Sequence, residues 1–123
     1  MLNAHASPIV GALLSTALSF ALPRVSYAEE PAPAAIEQAA AHFTEGERAF
    51  ERGDFVRAAG EFEAAYRENP HPTALWNAAW SWERAGERVK AANFYRRFLA
   101  EAPSETQNRN RATASLSELG KSL

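Results

Sequence analysis

The chain has 123 residues, of which 46% are hydrophobic and 23% are charged, with a formal net charge of −2. That length suits one small domain. The absence of cysteine excludes disulfides and thiolate metal sites, so the fold must be stabilised by packing. Lys and Arg do not form the clusters that non-specific nucleic-acid binding needs, and we expect no nucleic-acid partner.

The N-terminal segment has the pattern of a secretory signal peptide. Residues 9–22 form an apolar run, and the small residues Ser26 and Ala28 precede a cleavage point before Glu29. The sequence therefore predicts a signal-peptide helix within residues 1–28. The segment before the run lacks Lys and Arg, which leaves two alternatives open: an uncleaved anchor or a buried helix.

Cleavage after Ala28 removes 28 of the 123 residues and leaves 95. Arg24 leaves with the signal peptide, so 12 Lys and Arg remain beside 15 Asp and Glu, a net charge of −3. We expect a protein of the periplasm, or one exported otherwise, with no membrane span in the mature chain. Residues 29–34 (EEPAPA) suit an extended linker because they contain two prolines.

Two segments of the mature chain repeat each other. Residues 53–59 (GDFVRAA) align with residues 86–92 (GERVKAA) at an offset of 33, which also relates Phe62 to Tyr95. A fixed period of this size is typical of stacked repeats. The glycine that opens each segment predicts a helix end, and the apolar residues that follow recur at helical spacing.

This pattern resembles the tetratricopeptide repeat (TPR) family, in which two-helix units carry W-x2-L-G-x2-Y, A-x3-F and P motifs. Each unit of the chain supplies an Ala-x3-aromatic motif and a closing proline: Ala58, Phe62 and Pro70, then Ala91, Tyr95 and Pro103. Gly46 and Ala79 occupy the small-residue position, and Trp82 occupies the tyrosine position of the second unit. The family's early tryptophan is missing from both units.

The resemblance implies an all-α fold, a short α-solenoid of two helix-turn-helix repeats. We place repeat one at residues 35–71 and repeat two at residues 72–103. Residues 104–123 then form a capping helix and tail, whose start we assign to a capping box of Ser104 and Gln107.

No catalytic set is visible. The three histidines, His5, His42 and His71, are scattered, and no glycine-rich phosphate loop is present. We therefore expect no enzymatic activity, no metal and no cofactor.

The three tryptophans lie together in the first helix of repeat two, on two different stripes. Trp82 continues a stripe that begins at Leu75 and is sufficient to pack the helix. Trp76, Trp80 and Arg84 form a second stripe at a spacing of four residues, which needs another surface to cover it.

In the TPR family the first helices line an inner groove that binds peptides. Carried onto this chain, that arrangement implies the partner-binding set Phe43, Glu47, Phe50, Trp76, Asn77, Trp80, Glu83 and Arg84. The alternative for Phe50 and Trp76 is plain packing between repeats.

Some relatives bind a terminal carboxylate with Lys, Arg and Asn. Here Phe43 and Glu47 occupy two of those positions and only Asn77 matches, so an apolar or weakly basic segment fits better. The sequence thus predicts an exported protein–protein interaction module, a scaffold or assembly factor of the bacterial cell envelope that binds a peptide or helix. Two alternatives are a self-associating structural repeat with no peptide ligand and an accessory protein bound through its convex side.

Overall fold

A computed structural model describes residues 29–121, which form five α-helices and contain no strand. The all-α prediction is confirmed. The signal peptide and its cleavage point after Ala28 lie outside the described residues. The helices are α1 (Pro33–Glu51), α2 (Phe55–Glu68), α3 (Pro72–Arg84), α4 (Arg88–Glu101) and α5 (Arg109–Gly120).

Helix α1 begins inside the predicted linker. Pro33 is its first residue, because the first turn of a helix needs no N–H donor and proline has the right φ there. Pro72 opens α3 in the same way.

The 33-residue offset recurs in the backbone. Gly53 and Gly86 have φ angles of 77° and 80°, in the left-handed region where glycine avoids a Cβ clash. Each donates its N–H to the carbonyl three residues earlier at 3.0 Å, which closes the preceding helix. The helices that follow, α2 and α4, each have 14 residues.

Equivalent helices of the two units lie side by side. The Phe50 ring of α1 is 4.7 Å from the Trp80 ring of α3. On the other side of the molecule, the Tyr66 hydroxyl of α2 donates a hydrogen bond to Glu101 at the end of α4. Each helix also packs against the next one in sequence.

Small residues allow neighbouring helices to approach closely. Ala58, Ala59, Ala91 and Ala92 are all buried on the second helices of the units. Larger side chains fill the spaces between turns, and the largest fully buried ones are Tyr95, Phe98 and Leu75.

Helix α5 does not begin at the predicted capping box. Ser104 bonds the adjacent Glu105 side chain instead, and the helix starts at Arg109, after Asn108 with a φ of 77°. Arg109 donates to the carbonyls of Leu99 and Ala102, both at 2.8 Å, and so ties the start of α5 to the end of α4. Ala112 and Leu119 of α5 are buried and pack this helix onto the core. Among the described residues, no helix is long and apolar enough to span a membrane.

Gly46 marks the closest approach of α1 to α2. A Cβ added at this buried glycine would stand 2.9 Å from the Phe62 ring. Gly60, inside α2, is exposed and has no atom within 4 Å of an added Cβ. The two glycines therefore form a matched pair of helical sites, one crowded and one open.

We expect Gly46→Ala to destabilise the protein and Gly60→Ala to stabilise it. Overpacking at Gly46 costs about 1–3 kcal/mol, which exceeds the gain of up to about 1 kcal/mol in helix propensity. At Gly60 only the propensity gain of about 0.5–1 kcal/mol applies. Urea unfolding of both variants measures this, and equal stabilisation by both would contradict the close contact with Phe62.

Candidate partner-binding groove

An open groove of about 300 Å³ runs between α1 and α3. Its lining residues, here called the aromatic groove, are Glu47, Phe50, Glu51, Phe62, Asn77 and Trp80. Glu47 and Glu51 are one helical turn apart on α1, and Asn77 and Trp80 are neighbours on one face of α3. Four of the eight predicted binding residues are thus brought together: Glu47, Phe50, Asn77 and Trp80.

Trp80 is part of a row of contacting aromatic rings, here called the aromatic chain. Trp80 is partly exposed and packs on Phe50, and Phe50 meets the Phe55 ring edge-on at 5.1 Å. The guanidinium carbon of Arg84 stands 4.8 Å from the centre of the Phe55 ring. Arg84 therefore borders the groove through Phe55 and does not line it.

Helix α5 lies at the other end of this aromatic chain. The guanidinium carbon of Arg111 lies 5.5 Å from the Trp76 ring and 5.8 Å from the Trp80 ring. Neither Arg111 nor Phe55 was in the predicted site. The sequence signal for Phe55 was its position as an aromatic residue two places after Gly53, the glycine between α1 and α2. Nothing in the sequence placed α5 beside α3, so Arg111 could not have been found.

Trp76 is not an open groove residue. It is only 6% exposed, and its ring lies 5.7 Å from those of Tyr95 and Phe98. Of the two tryptophans on the second stripe of α3, only Trp80 is partly exposed, because aromatic residues of α4 cover Trp76. The alternative of packing between helices describes Trp76, whereas Phe50 both packs and lines the groove.

Phe43 and Glu83 also lie outside the aromatic groove. Phe43 packs edge-on against Phe62 at 5.2 Å and faces a separate apolar groove of about 420 Å³ that includes Ile36 and Ala74. Glu83 accepts a hydrogen bond from the Tyr95 hydroxyl at 2.5 Å. This bond holds the Glu83 side chain against α4.

Trp82 lies on the packed stripe, as the sequence predicted. It is 8% exposed, and its indole N–H donates to the Glu63 carboxylate at 2.6 Å. The Lys90 ammonium stands 4.3 Å from the centre of its ring. Trp80 and Trp82 therefore differ sharply in environment although they are two residues apart.

The Tyr95–Glu83 bond gives the protein a dependence on alkaline pH. Burial, and secondly the hydrogen bond to Glu83, raise the pKa of Tyr95 above its ordinary value of 10.0. The unfolded chain loses this proton near pH 10 while the folded chain keeps it, so the contribution is intact below that pH and falls above it.

We expect the free energy of unfolding to fall above about pH 10 by up to about 1.4 kcal/mol per pH unit from this group. Tyr95→Phe removes the titrating hydroxyl and should flatten that part of the profile. Urea unfolding of both proteins between about pH 9 and about pH 11 measures the difference. Parallel profiles would show that Tyr95 does not titrate as its burial requires.

The aromatic groove carries uncompensated negative charge. Glu47 and Glu51 are exposed, and within residues 29–121 neither has a hydrogen bond or an ion pair. In the same part of the chain, no cluster of three or more His, Asp or Glu could hold a metal ion. The lining offers apolar contact, cation–π contact and hydrogen bonding to a ligand.

No family model matches the chain, and neither a curated protein nor a solved structure matches it. The resemblance to TPR units therefore depends on the repeated residues of this sequence alone.

Proposed function

We propose that the chain is an exported, TPR-like interaction module without enzymatic activity, built as a short α-solenoid of two repeats and a cap. It binds a peptide or helix of a partner protein in the aromatic groove. Its role is that of a scaffold or assembly factor in the bacterial cell envelope, most naturally the periplasm.

The observation that carries this proposal is the position of Trp80. Its large ring is partly exposed beside Phe50, in a groove open to solvent, on a helix whose packing is already supplied by Trp76 and Trp82. Large rigid aromatic side chains in such settings are the usual anchors of protein interfaces. The side-by-side arrangement of α1 with α3 and of α2 with α4 supports the solenoid.

Peptide display on the purified protein tests the proposal. Selected peptides should bind the wild type, compete with one another and shift its tryptophan fluorescence on binding. Their binding should depend on Trp80 and be insensitive to Val56→Ala, a change at a 58% exposed apolar site outside the groove. Peptides that bind equally well without the Trp80 ring would exclude the groove as the binding site.

Self-association is the second candidate function. Two repeats are fewer than the three that arrays usually need, and the free side of α1 exposes Ile36 (47%) beside the separate apolar groove. A second copy could cover that surface. Sedimentation velocity over a dilution series separates the two functions: a monomer at all concentrations favours peptide binding, and a concentration-dependent dimer favours self-association.

We predict that the mature protein begins at Glu29. Ser26 and Ala28 offer the small side chains that a signal peptidase pocket accepts. N-terminal sequencing of the protein from the envelope fraction of its host measures this, and Ala28→Arg is the control that should block processing. An intact Met1 on protein recovered from the cytosol would contradict export.

A further inference from the structure

We infer that the aromatic groove selects a basic side chain flanked by apolar residues, a Lys or Arg whose stem lies on Trp80 and Phe50 and whose cationic head meets Glu47 and Glu51. This inference deepens the proposed function and depends on it. The partner is accordingly a protein segment with a basic residue inside an apolar stretch.

The distribution of ion pairs on α1 is the first argument. Glu45 is not a groove-lining residue and has three arginine partners: Arg48 at 3.8 Å, Arg52 at 3.4 Å and Arg57 at 3.1 Å. Glu47 and Glu51 are on the same helix, and neither has a basic partner within the described residues. The cations of this region are therefore used elsewhere, and the two groove carboxylates remain available to a ligand.

The spacing of these carboxylates is the second argument. Like charges four residues apart on a helix repel each other, and a cation placed between them removes that repulsion. Glu47 and Glu51 both line the groove, so a cation bound there would meet two carboxylates. A neutral side chain would leave the repulsion between the two carboxylates in place.

The aromatic surface beside the carboxylates is the third argument. Lys and Arg have long apolar stems that pack on rings while the charged head stays at a polar group. Phe50 and Trp80 supply the rings for such a stem. Acidic residues next to exposed aromatics match both parts of such a side chain.

The positive charges nearby do not reverse this preference. No Lys or Arg is among the groove-lining residues. Arg84 and Arg111 stand over the rings of Phe55 and of Trp76 and Trp80, at the two ends of the aromatic chain. Because neither arginine lines the groove beside Glu47 and Glu51, that side of the groove stays negative and would repel an anionic segment.

Three matched peptide libraries test the inference. Each library contains peptides of about 12 residues, or about three helical turns, with acetylated and amidated ends. Randomised apolar positions surround a central pair of residues. The pair is Lys-Lys, Gln-Gln or Glu-Glu. We expect the purified wild-type protein to prefer the Lys-Lys library over the Gln-Gln library by about tenfold, with the preference shrinking as salt is raised.

The double variant Glu47→Gln/Glu51→Gln should lose this preference and keep its helical circular dichroism, since both side chains are exposed. Glu30→Gln/Glu37→Gln is the matched control, because it removes two exposed charges outside the groove and should keep the preference. Equal binding of the three libraries, or an unchanged Lys preference in the Glu47/Glu51 variant, would overturn the inference.

The Trp80→Ala variant distinguishes failure of the inference from failure of the proposed function. If Trp80→Ala abolishes binding while the two groove glutamates prove irrelevant, the groove stands and its charge selectivity is wrong. If the wild type binds no library, or if Trp80→Ala binds all three as the wild type does, the proposed function fails and the inference fails with it.

Discussion

Replacing Trp82 with alanine is expected to remove most of the stability of the domain. A buried tryptophan truncated to alanine costs about 3–5 kcal/mol. The change also leaves the partly buried Glu63 carboxylate without the indole donor that it accepts from at 2.6 Å. The whole stability of so small a domain is about 5–10 kcal/mol, so little would remain.

Circular dichroism and thermal unfolding measure this effect. Trp82→Phe is a graded control, because it retains most of the ring volume but loses the hydrogen bond to Glu63, and we expect it to fold with a lowered midpoint. Val56→Ala, at an exposed apolar site, should leave the midpoint nearly unchanged. A Trp82→Ala variant that melts like the wild type would show that this side of α3 is not part of the core.

Replacing Trp80 with alanine should abolish partner binding and leave the fold nearly intact. The ring is partly exposed, and α3 remains packed through its buried neighbours Trp76 and Trp82. We expect a stability loss of about 1 kcal/mol from the lost contact with Phe50. Binding of a selected peptide should weaken by about 2 kcal/mol or more, which is about thirtyfold.

The measurement needs helicity and affinity from the same preparations. Trp80→Phe is the conservative variant, and it should recover part of the affinity because a flat aromatic surface remains. If Trp80→Ala melts as badly as Trp82→Ala, the ring serves packing between the helices, and self-association becomes the better account of this surface.

Local rules determine the repeats of this protein. Gly53 and Gly86 end helices because only glycine adopts a left-handed conformation without a steric cost, and the residues after them reproduce the same turn. The buried alanine pairs and the aromatic residues Phe62 and Tyr95 follow from helical spacing within one segment. Features of this kind are visible in the sequence because the interacting residues are close together in the chain.

The start of α5 was not predictable in this way. Ser104 and Gln107 have the local signature of a capping box, yet the helix begins at Arg109. The competing interaction is a tertiary one, the two hydrogen bonds from Arg109 to carbonyls at the end of α4. A local signal loses when a more distant contact satisfies more backbone groups.

The sequence by itself determined that residues 29–121 are helical, that the units repeat every 33 residues, and that Trp80 and Trp82 occupy different faces of α3. Only the tertiary structure decided which residues of the second stripe remain open. In the folded protein α4 covers Trp76, and Arg111 of α5 lies over the tryptophan rings. Periodicity specifies the face of a helix, but burial depends on which other helix covers that face, and that is a property of the assembled fold.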